Sequence, residues 1–323
     1  MSRTYLITGA TTQLGNHIIN RLYAQSCKVR VLITNIMDNT AFLAGKCQIF
    51  YGDINDKESM SDFFDCPAQD DVYLIHCDYK FTPSEKFDDN IWYYNVIGTK
   101  NVLDMSAVYG VKKVVIACSA LALPNGSLED ELSTESVNGL FRKTLSAAVQ
   151  IARSKRDNGL DISIAYHTAL LGPDENYSGI VTGYINRHVN GQPISFKGSF
   201  DFTDVRDVAG AIIAIINSDH VNEEYILSNQ YIDIAEFVKL MNNYVSLRVV
   251  SSTIPSWLHK VGLPFNTLYT KIRTADNDYS YIQKLLNNSC RYSCEKARVQ
   301  LGYQPRDLRE SIQDTLNFLK AKY

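Results

Sequence analysis

The first half of the chain alternates short apolar runs with amphipathic segments, and this pattern restricts the fold more than any other feature. The runs "TYLIT", "KVRVLIT", "CQIFYGD", "DVYLIHC" and "KKVVIACSA" have the length and the apolar, β-branched content of strands. Between them lie helical patterns such as "QLGNHIINRLYAQS", which carries its apolar side chains on one side. Strands that alternate with helices build parallel sheets, so the sequence predicts a series of βαβ units.

A sixth strand is expected in "DISIAYHTALLG", and the alternation loosens after residue 170. The sequence therefore predicts an α/β fold, a Rossmann-type doubly wound parallel sheet in residues 1–170. A smaller C-terminal α/β cap is expected in residues 171–323, with some of its segments returning to the sheet. Sheets of this kind bind ligands at the carboxyl ends of their strands, so we expect the cleft at that edge.

Composition excludes several classes of function. The 323 residues are 45% hydrophobic and 21% charged, and the net charge of −3 gives no basic field for nucleic acid. We expect no membrane segment, because no apolar run is long enough to span a bilayer, and the N-terminus lacks a signal-peptide layout. Seven scattered cysteines then indicate reduced thiols in the cytoplasm. Cys290 and Cys294 have no second ligand pair nearby, so no metal site is expected. The expected partner is a small-molecule substrate.

The segment "TGATTQLG" joins the first strand to the first helix and has the spacing of a dinucleotide-binding loop. Gly9 and Gly15 stand at two glycine positions of that motif, whereas Thr12 replaces the middle glycine. Such a turn brings backbone N–H groups and a helix N-terminus to a pyrophosphate. The candidate loop residues are Gly9, Thr11, Thr12, Gln13, Leu14 and Gly15. A plain strand–helix turn would have the same pattern, and the loop alone does not decide between the two interpretations.

Longer motifs carry a resemblance to a known family. They are "YGDIND", "NVIGTKNVL", "VVIACSA", "FDFTDVRDVAGAI" and "EKARVQLGYQPRDLRESIQDTLNFL". With these motifs the chain resembles the extended branch of the short-chain dehydrogenase/reductase superfamily, especially its dihydroflavonol-reductase and nucleotide-sugar epimerase members. The resemblance covers nearly the whole chain. It implies an NAD(P)-binding oxidoreductase and a homodimer that pairs through helices near residues 88–109 and 135–157.

The resemblance also implies cofactor contacts. Asp53, followed by Ile54, corresponds to the family's aspartate that bonds the adenine amino group, and Asn95 belongs to the cofactor site. Two further positions, His76 and Cys77, replace the small residues that wall the cofactor; the histidine either narrows the channel or is satisfied by local hydrogen bonds. The end of the second strand offers Thr34 where reductase-like members carry arginine. Neither an acid for NAD nor a base for NADP stands there, and the sequence favours NADP only slightly.

The catalytic positions depart from the family. Its tyrosine donates a proton, a lysine one helical turn later binds the nicotinamide ribose, and a serine polarises the carbonyl. Here the serine position is Ser119, and we expect Gly139 and Lys143 on one face of a helix within residues 133–155. The lysine either retains the ribose contact or is a surface residue. After the sixth strand, Tyr166 or His167 either replaces the missing acid or fills space left by other substitutions.

Two functions remain open at this point. The first is an oxidoreductase that transfers hydride to or from a small carbonyl or hydroxyl substrate with a non-standard proton donor. The second is a catalytically degenerate nucleotide-binding or regulatory protein on the same fold. Because one fold hosts many activities, the fold does not decide between them.

Overall fold

Parallel strands and covering helices follow the predicted alternation through the first half of the chain. The computed structural model describes residues 2–124, 138–173, 179–190, 197–244, 283–287 and 290–321. The strands are β1 (Ser2–Thr8), β2 (Lys28–Ile33), β3 (Gln48–Tyr51), β4 (Asp70–His76), β5 (Lys113–Ser119), β6 (Ile162–His167), β7 (Ala169–Leu171), β8 (Ser199–Asp204), β9 (Glu224–Leu227) and β10 (Gln230–Asp233). The helices are α1 (Gln13–Ala24), α2 (Ser61–Phe64), α3 (Asp89–Trp92), α4 (Thr99–Val108), α5 (Leu140–Arg156), α6 (Ile180–Val189), α7 (Val205–Asn217), α8 (Ile234–Asn242), α9 (Glu295–Leu301) and α10 (Leu308–Ala321).

Seven parallel strands form the main sheet in the order β3-β2-β1-β4-β5-β6-β9. The order reverses beside β1, as it does in doubly wound sheets, so the prediction of a Rossmann-type fold is confirmed. The edge strand β9 comes from the C-terminal half of the chain and pairs with β6 from Ile164 opposite Glu224 to His167 opposite Leu227. This strand is one of the segments that return to the sheet. Its return places the end of β6 between two strands.

A three-stranded sheet in the order β10-β8-β7 forms the base of the smaller C-terminal part. Apolar side chains from this sheet pack with α6, α8 and α10 in a separate cluster that includes Phe202, Phe237, Ile312 and Leu316. Burial of these side chains stabilises the layer that covers the carboxyl ends of the main strands. The second layer therefore faces the edge where a ligand is expected.

Helix α5 begins later than the sequence indicates. Gly139 precedes its first residue, Leu140, and has φ of +88°, a conformation that residues with a side chain rarely adopt. The backbone N–H of Lys143 donates to the Gly139 carbonyl at 3.1 Å, which closes the first turn. The prediction that Gly139 and Lys143 share a helix face is therefore wrong, because the glycine lies outside the helix. Residues 133–137 of the predicted helix lie outside the described residues.

The cysteines and the helices give no sign of other chemistry within the described residues. All seven cysteines lie among the described residues, and none of them forms a disulfide bond. In the described ranges, no group of three or more histidine, cysteine, aspartate or glutamate side chains is placed to hold a metal ion. None of the helices in this part of the chain is long and apolar enough to cross a membrane.

Candidate functional site

A cavity of about 470 Å³ lies at the carboxyl ends of the central strands, at the predicted edge of the sheet. Its walls come from the loop after β1, the ends of β5 and β6, helix α5, and the layer formed by α6, β8 and α8. Some of the predicted site residues line it, namely Thr12, Gln13, Leu14, Cys77, Ser119 and His167. The described structure thus brings the predicted loop and two of the four predicted catalytic residues to one cavity.

Close packing explains both glycines of the loop. At Gly9, φ is +77°, and a Cβ atom would lie 2.5 Å from the carbonyl oxygen of Cys77. At Gly15 a Cβ atom would lie 2.1 Å from the carbonyl oxygen of Gly9. Both distances are far below van der Waals contact, so neither position accepts a side chain without a shift of the backbone. The two glycines let α1 and β4 close on the turn.

Thr12, which replaces the middle glycine of the motif, caps helix α1 with its side chain. Its hydroxyl donates to the Gly9 carbonyl at 2.8 Å and accepts from the Gly15 N–H at 3.0 Å. An N-cap side chain of this kind satisfies one of the free N–H groups at a helix start. The threonine therefore rigidifies the loop from within, and its hydroxyl is already engaged.

The start of α1 retains donors for an anion. The backbone N–H groups of Gln13 and Leu14 have no hydrogen-bond acceptor among the described residues, and both residues line the cavity. Two such donors at the positive end of a helix form a ready site for a phosphate group. The loop therefore fits the pyrophosphate of a dinucleotide, although the middle glycine of the motif is missing.

Beside the loop, Asp38 lies where the sequence shows no acidic signal. The Thr11 hydroxyl donates to one carboxylate oxygen of Asp38 at 2.8 Å, and the Asn35 side chain donates to the other at 2.8 Å. Thr34, the predicted phosphate contact, instead shares a 2.8 Å hydrogen bond with the Tyr94 hydroxyl. The acid was missed because it stands five residues after the end of β2 rather than at the strand end.

The predicted adenine contact stands at the surface. Asp53 is exposed, and one of its carboxylate oxygens accepts from the Asn55 N–H at 2.9 Å. Ile54 is fully buried, and a Cβ atom at Gly98 would lie 2.4 Å from its side chain. The isoleucine thus fixes the start of α4 against β3, while the neighbouring carboxylate faces solvent.

His76 and Asn95 do not reach the cavity. The imidazole is fully buried, with Nδ1 2.6 Å from the Thr8 hydroxyl and Nε2 2.9 Å from the Thr99 hydroxyl. The Asn95 side chain bonds Lys80 through both of its polar atoms and also donates to Thr144. The structure thus bears out the interpretation of His76 as a histidine satisfied by local hydrogen bonds. Every polar atom of the Asn95 side chain also has a protein partner, so its predicted contact with the cofactor lacks structural support.

Cys77, the second predicted wall residue, does line the cavity. Its Sγ lies 3.0 Å from the Thr8 carbonyl oxygen, and burial raises the pKa of the thiol to about 12. The thiol therefore stays protonated at neutral pH and is a neutral wall to a bound ligand.

Neighbouring strands bring Ser119 and His167 together. The two residues stand opposite each other at the ends of β5 and β6, and both line the cavity. Adjacent strands lie about 4.8 Å apart, so the two side chains are neighbours on one face of the sheet. The Ser119 oxygen accepts from the Leu121 N–H at 3.3 Å, which leaves the hydroxyl proton free to donate.

Tyr166 points to the other face of β6, because successive side chains of a strand alternate. It is fully buried, and its hydroxyl donates to Glu224 at 2.9 Å. The carboxylate of Glu224 also pairs with Arg153 at 2.7 Å and Arg156 at 2.6 Å. Tyr166 therefore belongs to a buried ionic network, and the prediction that it could act as the acid is not supported.

The protonation of His167 follows from its hydrogen bond. Nδ1 lies 2.9 Å from the Thr168 carbonyl oxygen, and since a carbonyl only accepts, Nδ1 carries the proton of the neutral ring. Burial lowers the pKa of His167 below its usual value, so the ring is neutral at physiological pH. Its Nε2 has no donor among the described residues and keeps a free lone pair. With a lone pair at Nε2, neutral His167 can accept a proton, so it is better suited to act as a base than as the acid that the sequence indicates.

Helix α5 turns a different pair of residues to the cavity than predicted. Phe141 and Leu145, which are one helical turn apart, line the cavity with Ser119, whereas Lys143 is exposed and does not line it. The predicted role of Lys143 at the cofactor therefore lacks structural support. An apolar pair in the order i, i+4 is easily taken for core, so the sequence carries no signal that marks these positions.

The chain matches the family model of the NAD-dependent epimerase/dehydratase family over residues 5–228. Sterol demethylase protein B of Methylococcus capsulatus is 24% identical over 330 residues, with 99% of each chain covered. The crystal structure of gox2253 superimposes with a TM-score of 0.82 at 20% identity, with 99% of each chain covered. For the Thermus thermophilus UDP-glucose 4-epimerase complex with NAD, the TM-score is 0.72 at 18% identity, covering 99% of this chain and 100% of that one. The family model spans more than half of the chain and confirms the predicted resemblance, so this protein belongs to the NAD-dependent epimerase/dehydratase family.

Proposed function

We propose that this protein is an NAD-dependent oxidoreductase that oxidises a secondary alcohol, with His167 as the base. The observation that carries the proposal is the Ser119–His167 pair, which lies on the cavity-facing side of β5 and β6 beside the dinucleotide loop. Family membership supports nicotinamide chemistry at such a site. The remaining C-terminal segment, residues 171–323, is proposed to supply most of the substrate contacts.

Each residue has a chemical task in this proposal. The N–H groups of Gln13 and Leu14 would hold the pyrophosphate, and the bound nicotinamide would supply the hydride chemistry. Ser119 donates a hydrogen bond to the substrate oxygen and orients it toward the ring. His167 accepts the hydroxyl proton at Nε2, while the Thr168 carbonyl fixes Nδ1–H and stabilises the imidazolium that forms. A neutral imidazole fits alcohol oxidation because it begins the reaction without a proton.

We expect replacement of His167 by glutamine to lower kcat about 100-fold, the low end of the contribution of a general base. The rate of the parent should rise with pH through the lowered pKa of His167 and then level off, because only the neutral ring accepts a proton. Initial rates of NAD⁺ reduction on a panel of secondary alcohols measure both effects. Tyr166→Phe is the matched control, since that side chain faces away from the cavity. If His167→Gln had the same rate and the same pH profile as the parent, His167 would be excluded as the base.

The position of Asp38 favours NAD over NADP, in contrast to the slight preference that the sequence suggests. The carboxylate is held beside the loop by Thr11 and Asn35, whereas the Thr34 hydroxyl is engaged by Tyr94. Burial raises the pKa of Asp78 to about 6, and the charge of Asp38 adds to that rise. Negative charge at this edge would repel a ribose 2′-phosphate and accept bonds from ribose hydroxyls.

Calorimetric titration should therefore show NAD⁺ binding at least tenfold more tightly than NADP⁺, a difference of about 1.4 kcal/mol. Asp38→Asn removes the charge and keeps an acceptor for Thr11, and it should narrow that ratio by strengthening NADP⁺ binding. Asp219→Asn, a change at an exposed aspartate of another surface, is the control. A parent that prefers NADP⁺ would contradict the proposal.

The side of α5 that faces the cavity supports a second function. Phe141 and Leu145 are apolar and face the cavity beside Ser119, where a catalytic acid and a ribose-binding lysine would be useful. A chain with this wall would bind nucleotide and ligand without turnover, as a regulatory or binding protein does. Nucleotide binding without reduction of NAD⁺ by any alcohol would favour this alternative.

We also propose a homodimer. Tyr93, just before α4, and Val108, at the end of α4, are exposed apolar residues that would suit such a contact.

A further inference from the structure

Among the described residues, the cavity lining is uncharged and rich in aromatic side chains. None of the side chains that line it is aspartate, glutamate, lysine or arginine. Phe81 and Phe141 meet edge to face on the side of the main sheet, with ring centroids 5.1 Å apart. From the second layer, Phe202 stacks on Phe237 at 4.6 Å, and Phe200 packs against Phe202. Five phenylalanines thus form two aromatic walls of the cavity.

Polar groups that reach the cavity lie mainly at one end. The Ser119–His167 pair stands at the strand ends beside the loop of α1. Elsewhere a polar ring such as Tyr292 is already engaged, since its hydroxyl donates to the Ala120 carbonyl at 3.3 Å. The lining also includes Tyr79, whose buried hydroxyl has no hydrogen-bond partner among the described residues, and the rest of the surface away from the Ser119–His167 pair is mainly apolar. This arrangement orients an amphipathic molecule with its oxygen at the pair and its hydrocarbon between the phenylalanine walls.

Charge decides which substrates this surface accepts. Away from the Gln13 and Leu14 N–H groups, no cation among the described lining residues would offset the hydration that a phosphate loses on entering this cavity. Apolar surface of a ligand, in contrast, is stabilised when the cavity removes it from water. The volume of about 470 Å³ is in the usual range for a drug-sized ligand, and the nucleotide would share its end beside Thr12, Gln13 and Leu14.

We propose that the substrate is an apolar polycyclic alcohol, or the corresponding ketone, and not a nucleotide sugar. The hydroxyl lies at Ser119 and His167, and the ring system lies between Phe81 and Phe141 on one side and Phe200, Phe202 and Phe237 on the other. This assignment of the substrate class rests on the proposed function for its reaction, but the binding it predicts can be measured without turnover.

The test is calorimetric titration of the NAD-saturated protein with two probes, the 3-hydroxysteroid dehydroepiandrosterone and UDP-glucose. The steroid should bind in the micromolar range, and UDP-glucose should give no heat. Ile180→Asp places a charge on the cavity wall at a side chain that is 42% exposed, so the variant should fold. It should weaken steroid binding at least tenfold. Val299→Asp, at a residue 75% exposed and outside the cavity lining, is the matched control and should bind as the parent does.

Binding and turnover separate the two proposals. Steroid binding that Ile180→Asp weakens, without reduction of NAD⁺, would support the ligand class and overturn the proposed oxidation. Binding of UDP-glucose in place of the steroid would overturn the ligand class, even if NAD⁺ is reduced. Steroid binding that is equal in the parent and both variants would also overturn it, because the ligand would then lie elsewhere.

Discussion

Replacing Phe141 by tyrosine together with Leu145 by lysine should raise turnover on simple secondary alcohols by about two to four orders of magnitude, the contribution of a positioned acid–base group. Both side chains line the cavity one helical turn apart and beside Ser119. In the family that the chain belongs to, a tyrosine and a lysine are expected at this spacing next to the serine. We therefore infer that Phe141 and Leu145 stand at the positions of that pair, two residues after Gly139 and Lys143.

Initial rates of NAD⁺ reduction measure the gain, and calorimetry shows whether the new lysine also tightens nucleotide binding. Leu145 is fully buried, so the lysine will cost stability, and Phe141→Tyr alone is the variant to use if the pair does not fold. Phe81→Tyr adds the same hydroxyl to the same cavity from another element and is the matched control. A control that gains as much as the pair would show that any phenol in the cavity suffices.

The same geometry predicts that a tyrosine in place of Gly139 does not raise turnover. With φ of +88°, this position strains any side chain, and it lies before the helix that aims the cavity residues. Gly139→Tyr should lower the unfolding temperature and give no gain in turnover. A clear gain in turnover would instead support the alignment suggested by the sequence alone, in which Gly139 and Lys143 stand at the positions of the family's tyrosine and lysine.

The sequence predicted the sheet well because its signal is strong and local. Buried parallel strands are continuous apolar runs, and β1 to β6 all coincide with the predicted segments, except that β1 begins two residues earlier and β4 one residue earlier. The start of α5 was not predictable in the same way. A glycine before an amphipathic run can be the first helical residue or the residue before it, and only φ distinguishes the two. An error of two residues there rotates the helix face by about 200°.

Site residues were predicted less evenly, for a related reason. Tyr166 and His167 are adjacent on a strand buried on both faces, so the sequence shows that one faces the cavity without showing which. Asp38 was missed because a loop, not a strand end, carries it to Thr11. Phe141 was missed because an aromatic residue on a helix is most often core. In each case the deciding information is a direction in space that periodicity alone does not contain.

His76 should make the protein unusually sensitive to mild acid. Burial lowers the pKa of this histidine to about 3 in the folded chain, against about 6.5 when it is unfolded. Between these values the unfolded chain binds a proton that the folded chain excludes. The stability that the neutral ring contributes is therefore complete above pH 6.5 and is lost as pH falls toward 3, with a slope of up to about 1.4 kcal/mol per pH unit.

Urea unfolding at a series of pH values measures this slope. His76→Asn keeps a donor and an acceptor between Thr8 and Thr99, so it should cost about 1–2 kcal/mol at pH 8 and then lose stability more slowly on acidification. His220→Asn removes an exposed histidine and is the control, which should follow the parent. If the free energy of unfolding of His76→Asn fell with pH as steeply as that of the parent, protonation of His76 would not be the cause of the loss of stability in acid. The loss would then come from carboxylates such as Glu224, whose pKa is lowered by Arg153 and Arg156 despite its burial and whose ion pairs weaken once it is protonated.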